Sequence, residues 1–66
     1  MELTVNGELR EVAEGVTVAG LLAELRLAKQ YVAVEVNREV IARARHAECR
    51  LKAGDRVEIV TLVGGG

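Results

Sequence analysis

Residues Thr17 to Leu25 read TVAGLLAEL. Val18, Leu21, Leu22 and Leu25 stand at i, i+3, i+4 and i+7, which is one apolar stripe of a helix. Thr17 is suited to cap it, because its hydroxyl accepts a hydrogen bond from an orphan amide of the first turn. Arg26 and Lys29 follow near the end, where positive charge complements the helix dipole. Gly20 weakens the first turn by roughly 1 kcal/mol relative to alanine. It also leaves room for close backbone packing. A lone amphipathic helix has to bury its stripe against something, and strands on either side supply the surface.

On the amino-terminal side, Leu3 and Val5 alternate with Glu2 and Thr4, the period of a half-buried strand. Asn6-Gly7 tolerates positive φ at both positions and predicts a two-residue hairpin turn. Leu9 to Val12 is the returning strand, and Glu14-Gly15 a second turn. On the carboxyl-terminal side, Val32, Val34 and Val36 alternate with Ala33, Glu35 and Asn37. Asn37-Arg38-Glu39 reads as a turn, Val40-Ile41 as a short edge strand, and Ala42 to Arg50 as a loop with room for a helical turn. Ala53-Gly54-Asp55 is a further turn, which Asp55 serves. Arg56 to Val63 is the last strand, before Gly64, Gly65 and Gly66.

The order is hairpin, helix, strand, short strand, strand. It predicts an α+β fold of the β-grasp (ubiquitin-like) type, a mixed four- to five-stranded sheet with one main helix packed on one face. The expected division is a domain over residues 1–63 and a flexible glycine tail over 64–66. Parity assigns Leu3, Val5, Val32, Val34, Val36, Val57 and Ile59 to the inner face of the sheet, with Glu2, Thr4 and Glu35 outside. Val60 and Leu62 then point outward beside the tail. Either a local twist or bulge buries one of them, or they are simply scattered surface hydrophobes, or they form a partner-binding surface together with Val63; the last reading is the expectation here.

Composition narrows the function. Half of the 66 residues are apolar, yet there is no Phe or Trp and one Tyr, so the core is aliphatic. A chain of this size is held by a few kcal/mol and has little depth for an enclosed catalytic cleft. Nine basic and ten acidic side chains leave no basic excess for nucleic acid. Arg43, Arg45 and Arg50 come near clustering, but Glu48 lies among them, and a solvated loop is expected. Cys49 is the single cysteine, which fits a reducing cytoplasm and gives no disulfide or cysteine-based metal site. No apolar run approaches the ~20 residues that span a membrane, and Glu2 and Asn6 interrupt any signal-peptide pattern.

No P-loop, Ser/His/Asp set or metal-ligand spacing is present, so no intrinsic catalytic residue and no bound cofactor are expected. The chemistry is expected at the glycines. Without Cβ atoms, such a tail threads a narrow channel and lies flat against an enzyme's nucleotide site. A terminal carboxylate is a poor electrophile, but its transfer to the α-phosphate of ATP gives an acyl-adenylate. A sulfur nucleophile then displaces AMP, leaving a thiocarboxylate, by way of an acyl-disulfide where the nucleophile is a persulfide. In that scheme the protein is the substrate and the enzymes are its partners.

The segment Tyr31 to Gly66, YVAVEVNREVIARARHAECRLKAGDRVEIVTLVGGG, resembles the ThiS family of thiamine-biosynthesis sulfur carriers. The family pattern runs through an apolar strand into V-N-x-x-x-I/V, then a variable loop, L-x-x-G-D-x-V-E-I-V and a glycine-ended tail. Here those elements are Val36-Asn37 through Ile41, Leu51 through Val60, and Val63 through Gly66. The Asn6-Gly7 hairpin and the T-V-x-x-L-L helix start are also similar, so the resemblance covers nearly the whole chain. It implies Gly66 as the adenylate and thiocarboxylate acceptor, with Gly64 and Gly65 threading the partner's active site. The implied partners are a ThiF-type adenylyltransferase that consumes ATP, a cysteine desulfurase as sulfur donor, and thiazole synthase as receiver. Gly64 is a departure, a third glycine before the usual pair.

Three side chains carry weaker expectations. Cys49 is read as a mildly exposed structural thiol rather than a persulfide relay. His46 is expected on the surface of its loop, and Tyr31 partly buried at the mouth of the third strand. Two further function classes remain open in the sequence. One is a carrier for another sulfur product, such as molybdopterin or cysteine. The other is a small β-grasp binding or modifier protein.

Overall fold

A computed structural model describes residues 1–62. Val63, Gly64, Gly65 and Gly66, on which the expected tail and part of the expected partner surface fall, lie outside the described residues. Strand β1 (Glu2–Val5) and strand β2 (Glu8–Glu11) form the first hairpin, followed by helix α1 (Val18–Glu24). A 3-10 turn over Lys29–Tyr31 leads into β3 (Val32–Val36) and β4 (Glu39–Ile41). A second 3-10 turn, Arg43–Arg45, precedes β5 (Arg56–Thr61). The five strands are ordered β2-β1-β5-β3-β4. β1 runs parallel to β5, and every other neighbouring pair is antiparallel. This is the β-grasp arrangement, with the last strand at the centre.

Both hairpins close by turns that need positive φ at two successive residues. Asn6 and Gly7 have φ of 50° and 84°, and Asn37 and Arg38 have 51° and 70°. Their right-handed twist matches that of the flanking strands. Asparagine tolerates this region better than most residues, and Arg38 occupies it at some strain.

The helix is bounded as its sequence suggests at one end only. Thr17 Oγ1 accepts from the Gly20 amide at 3.0 Å. The amides of Val18 and Ala19 donate to the carbonyls of Cys49 and His46, at 2.9 and 3.0 Å. The first-turn donors are thus satisfied by the cap and by a loop from far along the chain. The helix then stops at Glu24, one turn short of the cationic end expected from Arg26 and Lys29. Arg26 takes φ of 59°, its amide bonds Ala23 O, and the Leu27 amide bonds Leu22 O. That pair of bonds is a Schellman cap, here with arginine in the position glycine usually fills. Lys29 opens the next 3-10 turn instead of ending the helix.

Val18, Leu21 and Leu22 cover the sheet and cluster with Leu3, Val12, Val32, Val34, Val36, Leu51, Val57 and Ile59. The inner-face assignment holds, except that Val5 is half-buried near the hairpin end. Two side chains differ from expectation. Tyr31 is 60% exposed, because the 3-10 turn carries it clear of the strand mouth. His46 is only 3% exposed. The Arg43–Arg45 turn and the bond from Ala19 to its carbonyl draw His46 beneath the loop, where Nε2 lies 3.2 Å from Ile41 O.

Candidate functional site

β5 is held on both sides along its length. From one side come β1 and the first turn: the Asn6 amide donates to Val57 O at 2.8 Å. From the other come β3 and the second turn: the Asn37 amide donates to Arg56 O at 2.8 Å, and Arg56 N donates to Asn37 Oδ1 at 3.0 Å. Asn37 Nδ2 also reaches Asp55 Oδ1 at 3.0 Å, while Asp55 Oδ2 accepts from Lys52 N at 2.7 Å. Asp55 is buried and closes the turn ahead of the strand, as its sequence position predicts. Farther along, the ladder with β3 extends to Thr61, and Leu62 N donates to Tyr31 O.

The strand therefore carries regular alternation to its end, without a bulge that would bury Val60 or Leu62. Val60 is 59% and Leu62 45% exposed, and both lie on the sheet face opposite the helix. Val60 sits across from Ala33, and Val40, itself 69% exposed, sits across from Glu35 on the same face. Val40 is a member of this patch that sequence reasoning left out. Its parity was legible, but the register of a three-residue edge strand was not. The third predicted surface residue, Val63, and the glycines Gly64, Gly65 and Gly66 are outside the described residues.

The other singled-out side chains do not join this face. Cys49 is half-buried and packs against the core, with its carbonyl committed to the helix amide of Val18. His46 Nδ1 is buried without a hydrogen-bond partner among the described residues. Also among the described residues, no group of three or more His, Cys, Asp or Glu is placed to hold a metal. No helix is long and apolar enough to cross a membrane.

A mixed sheet closed by its last strand, one covering helix, and an exposed aliphatic face beside that strand's end define a ubiquitin-like β-grasp domain. The sequence matches the profile of the ThiS family over residues 3–66, and the chain belongs to that family. It is 41% identical over 66 residues to a thiazole synthase of Paramagnetospirillum magneticum, covering all of this chain and 20% of that one. The chain thus spans about one fifth of the length of that relative. It is 44% identical over 50 residues to the sulfur carrier protein ThiS of Bacillus subtilis, 76% of each chain. The crystal structure of the thiamine biosynthesis protein ThiS from Geobacter metallireducens superposes with a TM-score of 0.85 at 43% identity, each chain covered completely.

Proposed function

We propose that this chain is a sulfur carrier for thiazole formation in thiamine biosynthesis, working as a protein co-substrate and not as an enzyme. The Gly66 carboxylate is the group that reacts. A ThiF-type adenylyltransferase transfers AMP to it from ATP, with release of pyrophosphate. A persulfide supplied by a cysteine desulfurase then displaces AMP to give an acyl-disulfide. A thiol attacks its outer sulfur, releasing the thiocarboxylate and leaving the donor sulfur in a disulfide with that thiol. Thiazole synthase receives the sulfur. These steps belong to a reducing cytoplasm, where the lone Cys49 stays unpaired.

The observation that carries this reading is the family match, which runs through residue 66 and so includes the glycines. Geometry supports it in one respect. β5 is pinned by Asn6 on one side and by Asn37 on the other, which fixes the strand that carries the exposed Val60 and leads to Leu62. Residues 1–63 then act as the recognised domain and 64–66 as the segment threaded into the enzyme, with Gly64 and Gly65 giving it a narrow profile. Val60, Leu62 and Val63 contact the enzyme as the tail enters.

The test is the intact mass of the protein after incubation with ATP, an active ThiF-type enzyme, a cysteine desulfurase and cysteine. The expected result is exchange of one oxygen for one sulfur, mapped by fragmentation to Gly66. No exchange, with an enzyme set that sulfurates another carrier in parallel, would remove the sulfur-carrier reading. Deleting Gly66 is expected to abolish the exchange and leave the melting temperature unchanged.

A further inference from the structure

We propose that the outer face of β3 and β5 docks a protein surface bearing one arginine ringed by apolar side chains, its guanidinium held between Glu35 and Glu58. This rests on the reading of the chain as a carrier recognised by an adenylating enzyme, and it specifies the chemistry of that recognition.

The register places Glu35 directly opposite Glu58. Side chains so paired have Cβ atoms about 5 Å apart, and like charges there destabilise the sheet. Neither carboxylate has an ion-pair partner among the described residues, where the pairs found are Met1 with Glu11 and Arg45 with Glu48. The cation that register brings nearest on this face is Arg56, two residues before Glu58 along β5 and beside Thr4 of β1. On the β1 side the register leads from Glu58 to the polar Asn6 turn, whereas toward β4 and the end of β5 the carboxylates are bordered by aliphatic groups. Val40 stands across from Glu35, Ala33 and Val60 form the next rung, and Leu62 lies beyond. Glu35 is itself half-buried in this setting.

Such a face restricts its occupant. Apolar contact at Val40, Val60 and Leu62 brings both carboxylates out of water. A partner with no cation would leave two like charges desolvated and unpaired, which is costly. A phosphate backbone or an anionic lipid surface would add charge of the same sign. One planar guanidinium offers donors on two edges and can bridge two carboxylates at this spacing, where an ammonium acts as a point charge. The pair thus disfavours the free sheet and is relieved in the complex, so it acts as a selective element rather than a stabilising one.

Titration calorimetry of the chain against an active ThiF-type adenylyltransferase, at two salt concentrations, tests this. Glu35→Gln and Glu58→Gln should each weaken binding about tenfold and flatten its salt dependence. Glu58→Gln should also raise the melting temperature of the free domain by about 1–4 °C, a change in the opposite sense to a folding defect. Glu24→Gln on the exposed side of α1 should change neither. Wild-type affinity and salt dependence in both glutamine variants, with binding lost in Val60→Asp, would overturn the proposal in favour of purely apolar docking while leaving the carrier reading intact. An unaltered chain that neither binds nor is adenylated would remove both. A dimer in sedimentation that Glu58→Gln dissociates would reassign the face to a second copy of the chain.

Discussion

The side-chain amide of Asn6 pairs with the backbone of Ile59 through both of its ends. Oδ1 accepts from the Ile59 amide at 2.7 Å, and Nδ2 donates to the Ile59 carbonyl at 3.2 Å. β1 itself stops at Val5, so this one side chain continues the parallel ladder by a further step. Asn37 performs a related service for Arg56 from the opposite turn. Both asparagines hold positive φ in their hairpins while their side chains bind the central strand.

Removing the Asn6 amide leaves the Ile59 donor without its partner. Asn6→Gly keeps the turn geometry and isolates that loss, expected at about 1–2 kcal/mol. Asn6→Ala adds the cost of positive φ and should be worse by about 1 kcal/mol. Urea unfolding of the two variants separates the terms. Equal stabilities would show that the turn conformation contributes nothing at this position.

Arg26 caps the helix in a conformation that glycine adopts freely. Arg26→Gly is expected to stabilise the domain by about 0.5–1 kcal/mol, less the entropy glycine adds to the unfolded chain. Arg38→Gly in the second hairpin should behave alike. A fall in melting temperature for both would contradict the strain assigned to them.

Gly20 is opposed by two effects of similar size. Alanine gains roughly 1 kcal/mol in helix propensity. Its Cβ would meet Val16 Cγ2 at 3.1 Å, a contact that requires the valine to shift by a few tenths of an ångström. Gly20→Ala should therefore change stability by less than about 0.5 kcal/mol. A clear gain would mean that Val16, which is half-buried, yields without cost.

His46 fills space beneath the second 3-10 turn, with one ring nitrogen bonded and the other unpartnered. His46→Ala should cost about 2 kcal/mol through the cavity and the lost bond to Ile41. His46→Leu should cost less, because it fills the space and removes the unpartnered atom. Thermal unfolding of both decides the order. The reverse order would show that the Ile41 bond outweighs packing.

What could be read in advance depends on the range of each interaction. The stripe of Val18, Leu21 and Leu22, the Asn6-Gly7 turn and the alternation of Val32, Val34 and Val36 are local patterns, and each element lies where its pattern sits. The burial of His46 depends on amides of α1 meeting carbonyls of a loop far along the chain. Nothing near His46 in sequence signals that meeting. The early end of α1 comes with Arg26 in the left-handed region and Leu27 packed against the core, and helix propensity signals neither. On the outer face, parity exposed Val60 and Leu62, but opposing Glu35 to Glu58 needs the register of β3 against β5. That register is set by the turns and the core together.

The central place of β5 has a consequence for how the molecule assembles. Each hairpin can close from neighbouring residues, but the two are joined in the sheet only through the strand made last. Its pairing with β1 links near-opposite ends of the chain, a contact that is slow to form and that few partial structures can imitate. Val60 and Leu62 ride on that same strand. A partner that recognises their face therefore meets it in order only on a completed fold, and recognition doubles as inspection.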